Sequence, residues 1–431
     1  MDIEYILTKL DNNVLMLNTS KEDIKQRGEV FTPRIIINKM IDKIPDSIWE
    51  NPNCTWLDPA VGLGQFPVCI FLRLMESLRI YFPDDQERKE HILSNMIYTC
   101  ELNPISCEKY KSLFGDNVKL NLFEGNSLDL QSNYIWQNGK TVESFDVIIG
   151  NPPYQGPRKD TDTPVAFRAG GGTLWNKFVV KFLGLVKPNG YLSFIHPSGW
   201  RKPNTPNSRY NGLFDLMTHT NQMIFLKIHN KSDGKSIFGA GTRFDYYIIQ
   251  KKDCQETTLV IDEKGIENTI NLKPLEWLAN YNYKLIESLS APRNHSRVLA
   301  KSKLRSKCKL VSDIESELFK YPLIHLTPKK GIRYKWSNIQ TQEGYFGIPK
   351  VIFGDTGFIS NVVVDWEGLY GLTNDAIALP IDSLEQGIHM KATLESKEFN
   401  DFLKCVWWGN FRIDWRLFMD LKDNFYDLIE M

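Results

Sequence analysis

The segment Asn151-Pro152-Pro153-Tyr154 has the residue types of a pocket for a planar group that carries an amine. It follows the apolar run 145–150, which predicts a buried strand that ends in a turn. The two prolines fix the backbone, so the Pro152 carbonyl and the Asn151 side-chain oxygen can both accept hydrogen bonds from one amino group. Tyr154 offers a flat apolar face for stacking. We interpret the segment as a pocket for an adenine, a cytosine or an amide; the alternative is a tight turn without a chemical role.

A glycine-containing loop follows an earlier apolar run. Asp58 ends this run, and Gly62 and Gly64 then allow the backbone to turn sharply and to approach a ligand closely. No Gly-Lys-Ser/Thr sequence follows, so the loop is not a P-loop, and Pro67 stands where a dinucleotide-binding loop has its third glycine. The loop therefore suits a nucleoside ligand without phosphate groups, and a structural turn is the alternative.

Glu101 ends the next apolar run, 96–101. In open α/β sheets, an acid at this place accepts hydrogen bonds from the hydroxyl groups of a ribose. The long spacing from Asp58 is explained by a polar insertion at residues 83–92. We therefore predict that Glu101 binds a ribose, and an ordinary surface acid is the alternative.

Strand-like runs alternate with helical patterns up to about residue 255. The predicted strands are 54–58, 96–101, 145–150, 190–197, 225–230 and 244–251, and residues 118–128 are predicted as a strand that runs into a loop. The predicted helices include 65–82, 104–114 and 173–186. This alternation predicts an α/β fold with a mostly parallel sheet and helices on both faces. Because ligands bind at the carboxyl ends of the strands in such sheets, the three loops described above should meet at one edge.

After about residue 255, strand-like and helical patterns no longer alternate, and the sequence predicts irregular segments. We predict a first domain at residues 1–255 and a second, mixed α+β domain at residues 256–431. Residues 284–335 carry 13 Lys or Arg against four acids, whereas residues 365–431 carry 13 acids against six bases. The formal net charge of the whole chain is zero, but its charges are unevenly distributed. The basic block at 284–335 is therefore a candidate for a polyanion-binding face. A solvated lysine-rich surface is the alternative.

Composition argues against several classes of protein. No apolar run is long enough for a spanning helix, and residues 1–13 lack the features of a signal peptide. The seven cysteines are scattered and form no CxxC pair, and no HExxH sequence occurs. We therefore expect a cytoplasmic protein without a metal site or a membrane partner, in a reducing compartment.

The order of these motifs is similar to that of a known family. The sequence DPAVGLGQF, the acid Glu101, EGNSL and NPPY resemble the motif series of S-adenosylmethionine-dependent DNA N6-adenine methyltransferases of the restriction-modification type. The resemblance covers roughly residues 24–252. It implies a Rossmann-like methyltransferase sheet in the first domain and a DNA target-recognition domain in the second.

The resemblance also assigns the cofactor site. The implied S-adenosylmethionine-binding residues are Phe31, Thr32, Pro33, Asp58, Gly62, Gly64, Glu101, Asn126 and Ser127. Asn126 departs from the family, which usually has Asp at this place to contact the adenine amine of the cofactor. No metal cofactor is expected.

The same resemblance assigns the target base and the DNA. The implied catalytic residues are Asn151, Pro152 and Tyr154, and Phe238 corresponds to a second aromatic residue that stacks on the base. A core position is an equally good interpretation of Phe238. For DNA binding we predict Trp200, Arg201 and Lys202, which follow a strand, and Lys303, Arg305 and Lys307 in the basic block.

The resemblance implies methylation of the N6 amine of an adenine flipped out of double-stranded DNA. Methylation of a protein glutamine or of an RNA adenine stays open as an alternative, because the same pocket suits both. No nuclease motif leads into the first motif, so a modification-only enzyme is favoured, which leaves a separate cognate restriction endonuclease open as a partner.

Overall fold

The computed structural model of the chain describes residues 32–115, 118–156, 172–291, 298–409 and 412–428. The chain divides into two units. The first unit combines Met1–Trp200 with Arg209–Glu276, and the second combines Arg201–Ser208 with Trp277–Met431. The predicted boundary at residue 255 thus falls about two strands earlier than the division in the structure.

The first unit contains helices and strands in alternation. Its helices are α1 (Arg34–Ile41), α2 (Asp46–Trp49), α3 (Gln65–Ser77), α4 (Asp85–His91), α5 (Pro104–Phe114), α6 (Trp175–Leu185), α7 (Leu213–Thr218) and α8 (Lys231–Phe238). Its strands are β1 (Trp56–Asp58), β2 (Ile97–Glu101), β3 (Asn121–Glu124), β4 (Phe145–Gly150), β5 (Val186–Pro197), β6 (Gln222–His229), β7 (Phe244–Gln250), β8 (Thr258–Ile261) and β9 (Glu267–Ile270).

These strands form one nine-stranded sheet in the order β3-β2-β1-β4-β5-β7-β6-β8-β9. Strands β1 to β5 pair in parallel, and β7 lies antiparallel between β5 and β6. Strands β8 and β9 extend the sheet beyond β6, which is why the unit continues past residue 255. The predicted α/β fold with a large, mostly parallel sheet is confirmed.

The central strands are buried along most of their length because helices cover them. Strand β4, FDVIIG, has five of its six residues buried, and β2 has four of its five buried. Helices α1 and α3 supply Ile37, Met40, Phe71 and Leu74 to the same core. This burial fixes the position of the strand ends, and therefore of the loops that follow them.

The second unit is built on two small sheets. Its strands are β10 (Leu299–Ala300), β11 (Val311–Ser312), β12 (Tyr321–Leu326), β13 (Arg333–Ser337), β14 (Lys350–Gly354), β15 (Val363–Asp365), β16 (Gly371–Leu372) and β17 (Ala376–Pro380). One sheet has the order β10-β17-β14-β15 and the other β11-β13-β12-β16. Its helices are α9 (Tyr283–Leu289), α10 (Leu384–Glu395) and α11 (Lys397–Cys405), and a core of aliphatic and aromatic side chains joins them to the first of these sheets.

Candidate active site

The loops after β1 and β4 lie side by side at one edge of the large sheet. Strand β1 pairs in parallel with β2 on one side and with β4 on the other, with Leu57 opposite Ile148. Because the chain proceeds outward in opposite directions from these two strands, a crevice opens beyond their carboxyl ends. The loop that begins at Asp58 and the segment that begins at Asn151 both start at this crevice, as predicted from the sequence.

The ends of these two strands approach each other closely at Gly150. A Cβ atom at Gly150 would lie 2.6 Å from Oδ1 of Asp58. Only a residue without a side chain therefore fits beside this carboxyl group. Sequence reasoning placed Gly150 in the strand and missed this role; its position directly before Asn151 is the signal that marks it.

Asp58 is buried and held in place by the loop that follows it. Its Oδ1 accepts a hydrogen bond from the Ala60 N–H at 3.0 Å. Its Oδ2 has no hydrogen-bond partner among the described residues. Burial raises the pKa of Asp58 to about 8, with the negative charge of Glu101 acting in the same direction and the Ala60 hydrogen bond opposing it. A cationic ligand at Oδ2 would satisfy this oxygen and favour the charged form.

The two glycines of the loop have different surroundings. Both have positive φ angles, +54° at Gly62 and +94° at Gly64. A Cβ atom at Gly64 would lie 2.8 Å from the side chains of Leu113 and Tyr110, whereas one at Gly62 would meet nothing within 4 Å. Gly64 is therefore required for packing against α5, and Gly62 leaves open space beside the backbone.

Glu101 joins the glycine loop to the loop that follows β2. Its Oε2 accepts a hydrogen bond from the Gly62 N–H and its Oε1 accepts one from the Asn103 N–H, both at 2.8 Å. These two backbone bonds orient both carboxylate oxygens of Glu101. Leu102, which follows Glu101, is 67% exposed. Sequence reasoning missed this exposed apolar side chain, although its place after the acid marks it.

Asn126 and Ser127 lie at the end of β3, but Asn126 already has local partners. Its Oδ1 accepts from the Leu128 N–H at 3.2 Å, and its Nδ2 donates to Asp129 at 2.9 Å. Asn126 therefore caps the 3-10 turn Ser127–Asp129, a role for which Asn is well suited. Whether it also contacts a cofactor, as the family resemblance implies, stays a prediction.

The Asn151 side chain is oriented by a residue far away in the sequence. Its Nδ2 donates a hydrogen bond to Oγ1 of Thr32 at 3.1 Å. Thr32 is buried and precedes Pro33, whose carbonyl accepts from the first turn of α1. The structure thus brings Thr32 of the first predicted motif into contact with Asn151. Phe31, the third predicted residue of this motif, lies outside the described residues.

Tyr154 is held on the same segment by backbone pairing. Its carbonyl accepts from the Leu174 N–H at 3.1 Å, and Gln155 forms an antiparallel bridge with Thr173. Burial raises the pKa of Tyr154, and the neighbouring Asn151 side chain acts in the opposite direction. The phenol therefore stays neutral at physiological pH.

Phe238 is the last residue of α8, and its ring lies 4.9 Å from that of Phe244 in an edge-on arrangement. It is partly buried against the core of the first unit. Because β6 precedes α8 and runs parallel to β5, Phe238 lies at the same edge of the sheet as Asn151. The core contact is thus present, and stacking on a target base stays a prediction.

Two of the predicted DNA-binding residues are wrong. Trp200 is fully buried, and its Nε1–H donates to Asp245 at 2.9 Å. Arg201 is also fully buried, and its guanidinium donates to the carbonyl groups of Leu278 and Ala279 at 3.1 Å. A buried side chain cannot contact a DNA backbone, so these two residues stabilise the protein core instead.

The other predicted cations lie in the second unit. Lys202 is partly exposed. Lys303, Arg305 and Lys307 are exposed, and Lys303 forms an ion pair with Glu343. Their exposure is compatible with phosphate binding, which stays a prediction.

The described part of the chain was also searched for metal-binding groups and for membrane-spanning helices. No group of three or more His, Cys, Asp or Glu side chains is arranged to hold a metal ion there. No helix within those same ranges has the length and apolar character needed to cross a membrane.

Comparison with known proteins finds a family model that matches part of the first unit. Residues 65–230 match the model described as the Eco57I restriction-modification methylase. The family resemblance is confirmed. The chain is 26% identical over 269 residues to an uncharacterized adenine-specific methylase of Mycoplasma pneumoniae, which covers 45% of this chain and 61% of that protein. It is 29% identical over 136 residues to the EcoEI type I restriction enzyme methylase subunit of Escherichia coli, which covers 31% of this chain and 25% of that protein.

The chain therefore spans less than two thirds of the length of these two relatives. Among solved structures, its fold is similar to that of a nuclease-deletion mutant of the Type ISP restriction-modification enzyme LlaGI in complex with a DNA substrate mimic. That match has a TM-score of 0.56 and 12% identity, and it covers 94% of this chain and 47% of that one. This likeness is one of fold, and it agrees with the predicted α/β fold.

Proposed function

We propose that this chain transfers a methyl group from S-adenosylmethionine to the N6 amine of an adenine flipped out of double-stranded DNA, at a specific sequence. The observation that carries the proposal is the position of Asn151-Pro152-Pro153-Tyr154 beside Asp58, at the crevice between β1 and β4. The match of residues 65–230 to a restriction-modification methylase family supports DNA as the substrate.

The residues at this crevice fit S-adenosylmethionine. The buried Oδ2 of Asp58 has no partner among the described residues and suits the ammonium of the methionine part. The open space beside Gly62 admits a ligand against the backbone. Glu101 would accept from the ribose hydroxyls, and the exposed Leu102 would cover one face of the adenine. When bound, S-adenosylmethionine supplies an electrophilic methyl group.

Asn151 and Pro152 would activate the target amine. The lone pair of the N6 amine is delocalised into the adenine ring, so the nitrogen is a poor nucleophile. Hydrogen bonds from its two N–H groups to the Asn151 oxygen and the Pro152 carbonyl strengthen as positive charge develops on the nitrogen, which lowers the barrier. Thr32 assists by binding Nδ2 of Asn151, which sets the orientation of the amide.

Tyr154 would receive the base once it has left the duplex. Flipping a base costs a few kcal/mol, and stacking on an aromatic ring returns roughly 1–3 kcal/mol per base. The antiparallel bridge between Gln155 and Thr173 fixes the backbone on which Tyr154 lies. The ring is therefore positioned before the substrate arrives, which reduces the entropy cost of binding.

The second unit would supply target recognition. Its exposed cations Arg305 and Lys307 suit the phosphate backbone, and its two small sheets give it a core of its own. We extend the proposal to a cytoplasmic protein that acts on duplex DNA, with a separate restriction endonuclease as the partner of the system.

The test is transfer of a labelled methyl group to duplex DNA, followed by mass spectrometry of the nucleosides. We expect N6-methyladenine in the product. Asn151→Ala should lower turnover roughly 10²- to 10³-fold while S-adenosylmethionine still binds, because Asn151 acts on the target amine. Asn151→Asp keeps a hydrogen-bond acceptor and should retain part of the activity.

Two outcomes would contradict the proposal. Labelling of a protein glutamine or of RNA, with DNA left unlabelled, would replace the substrate. Full turnover by Asn151→Ala would remove the assigned catalytic role. Thermal unfolding of both variants provides the control for loss of structure.

A further inference from the structure

Two buried carboxyl groups lie together at one end of the sheet β10-β17-β14-β15. Asp355 directly follows β14, and Asp375 directly precedes β17, its antiparallel neighbour. The Asp355 N–H donates to the Asp375 carbonyl at 3.0 Å, so the two residues are held side by side by the backbone. Burial raises the pKa of Asp355, and the positive charges of Arg412 and Lys301 oppose this rise.

Arg412 lies across both carboxyl groups. Its Nη1 donates to Oδ2 of Asp355 at 2.7 Å and to Oδ1 of Asp375 at 3.1 Å, and its Nη2 donates to the same Asp375 oxygen at 3.1 Å. These bonds use three of the five N–H donors of the guanidinium group. The Nε–H and the second Nη2–H remain, and both lie on one edge of the planar group. Although Arg412 is bound three times, 52% of its side chain is exposed.

The exposed face of Arg412 borders a cleft of about 370 Å³ in the second unit. The cleft is also lined by the cationic residues Lys202, Lys301 and Arg416 and by the ring of Trp415. Asp355 and Asp414 are the carboxylates among its lining residues. Counting Asp375, which is bound to Arg412, this wall has four cations and three carboxylates, so its net charge is slightly positive, which is compatible with the approach of DNA.

We propose that Arg412 reads a guanine in the major groove of the DNA target, with Asp355 and Asp375 as positioning residues. The proposal rests on the DNA-methyltransferase function given above and names one residue of its sequence specificity. Guanine presents O6 and N7 as two adjacent acceptors, which match two N–H donors on one edge of an arginine. Adenine presents an N6 amino group in place of O6, so a donor would face a donor.

The charges around Arg412 favour a base over a phosphate. Two carboxylates lie within 3.1 Å of its guanidinium nitrogens, and their negative charge opposes the approach of a phosphate. The edge of a guanine is neutral and meets no such repulsion. A fixed guanidinium also loses less entropy on binding than a mobile one, which improves discrimination between bases.

The experiment selects duplexes from a random library by their binding to the full chain and sequences those that bind. In parallel, methylated adenines are mapped on DNA treated with the chain and S-adenosylmethionine. We expect the wild-type chain to require a guanine at one position of its site. Arg412→Gln should lower the preference for that guanine roughly 5- to 150-fold, the range for one bidentate contact, while other positions stay unchanged.

Two further variants separate base reading from charge and from folding. Arg412→Lys keeps a cation beside Asp355 and Asp375 but loses the planar fork, so it should lose the guanine preference as well. Arg305→Gln is the matched control, because Arg305 is also an exposed arginine but is assigned to the phosphates and not to a base. It should weaken binding equally for all sequences. Thermal unfolding of each variant measures its structural cost.

The outcomes distinguish the two proposals. If both Arg412 variants keep the guanine preference of the wild-type chain, Arg412 is a structural ion pair and the inference is wrong. If the selected duplexes lose that guanine in the variants but no DNA is methylated by any chain, the inference holds and the proposed function fails. If Arg412→Gln does not fold, Arg412→Lys alone decides between these outcomes.

Discussion

The two units hold their charged candidate groups in different ways. In the first unit, backbone N–H groups bind the carboxyl groups of Asp58 and Glu101 at 2.8–3.0 Å. In the second unit, side chains hold one another, as Asp355 and Asp375 hold Arg412. The position of a group held by the backbone depends on the path of the chain. The position of a group held by side chains depends on a few contacts that single substitutions can change.

This difference matches the two tasks that we propose. The methyl donor is the same in every reaction, so its site can be built from fixed loops between buried strands. A DNA target differs between enzymes, and a surface of exposed side chains can be changed without refolding the sheet beneath it. Substitutions in the first unit should therefore alter stability and ligand binding together, and those in the second should alter selectivity or affinity alone.

The strongest test of this comparison is Asp58→Asn, which replaces a buried carboxyl group by a neutral group of the same shape. The pKa of Asp58 is raised to about 8 in the folded protein, mainly by burial, against about 3.9 in an unfolded chain. The folded state therefore binds a proton that the unfolded state releases, and the wild-type chain loses stability as the pH rises from about 4 to about 8. The variant should escape this loss.

Urea denaturation at several pH values measures the effect. Relative to the wild-type chain, Asp58→Asn should gain stability steadily from pH 4, up to about 5 kcal/mol at pH 8. It should also bind S-adenosylmethionine poorly, because the carboxylate for the ammonium is lost. Equal stability of the two chains at all pH values would show that Asp58 is ionised before any ligand binds.

A smaller effect is expected from the two glycines of the loop. Gly64→Ala places a Cβ atom 2.8 Å from two buried side chains at a φ of +94°, so we expect a loss of about 2–3 kcal/mol in the free energy of unfolding. Gly62→Ala meets no atom within 4 Å and has only the strain of its positive φ, about 1 kcal/mol. Thermal or urea unfolding of the pair measures the contrast.

Ligand affinity should be affected most by the substitution that costs less stability, Gly62→Ala. Gly62→Ala fills the open space that we assign to the cofactor, so its affinity for S-adenosylmethionine should fall by more than its small loss of stability explains. Calorimetric titration of the folded variant checks this. Unchanged affinity would place the ligand away from Gly62.

Much of the first unit could be predicted from the sequence because glycines, prolines and apolar runs determine the conformation of its loops and strands. Apolar runs marked the central strands, and Gly62, Gly64 and the prolines after Asn151 marked the loops. The extension of the sheet by β8 and β9 was missed because β9 alternates exposed with partly buried residues and has no buried position. The bond between Thr32 and Asn151 was also missed, since sequence patterns do not reveal contacts between distant residues.

The second unit shows where such reasoning fails. Arg201 was predicted to bind DNA because it follows a strand and carries a charge, yet it is buried among backbone carbonyls of residues 278 and 279. Arg412 was not singled out, because it lies in the acidic part of the chain and its carboxylate partners are 57 and 37 residues away. Local charge does not reveal burial, and tertiary contacts decide which arginine is presented to a ligand.

The smallest effect is expected from the basic block, where single charges act additively. Each phosphate contact contributes about 0.9 to the slope of log K against log salt concentration. Neutralising Arg305 and Lys307 together should therefore reduce the slope by about 2 and weaken binding to all duplexes equally. Lys303 should contribute less than either, because it must first leave its ion pair with Glu343. Binding measured between 50 and 200 mM salt tests this. A loss of sequence preference instead of affinity would mean that these cations read bases, and the contrast with Arg412 would then disappear.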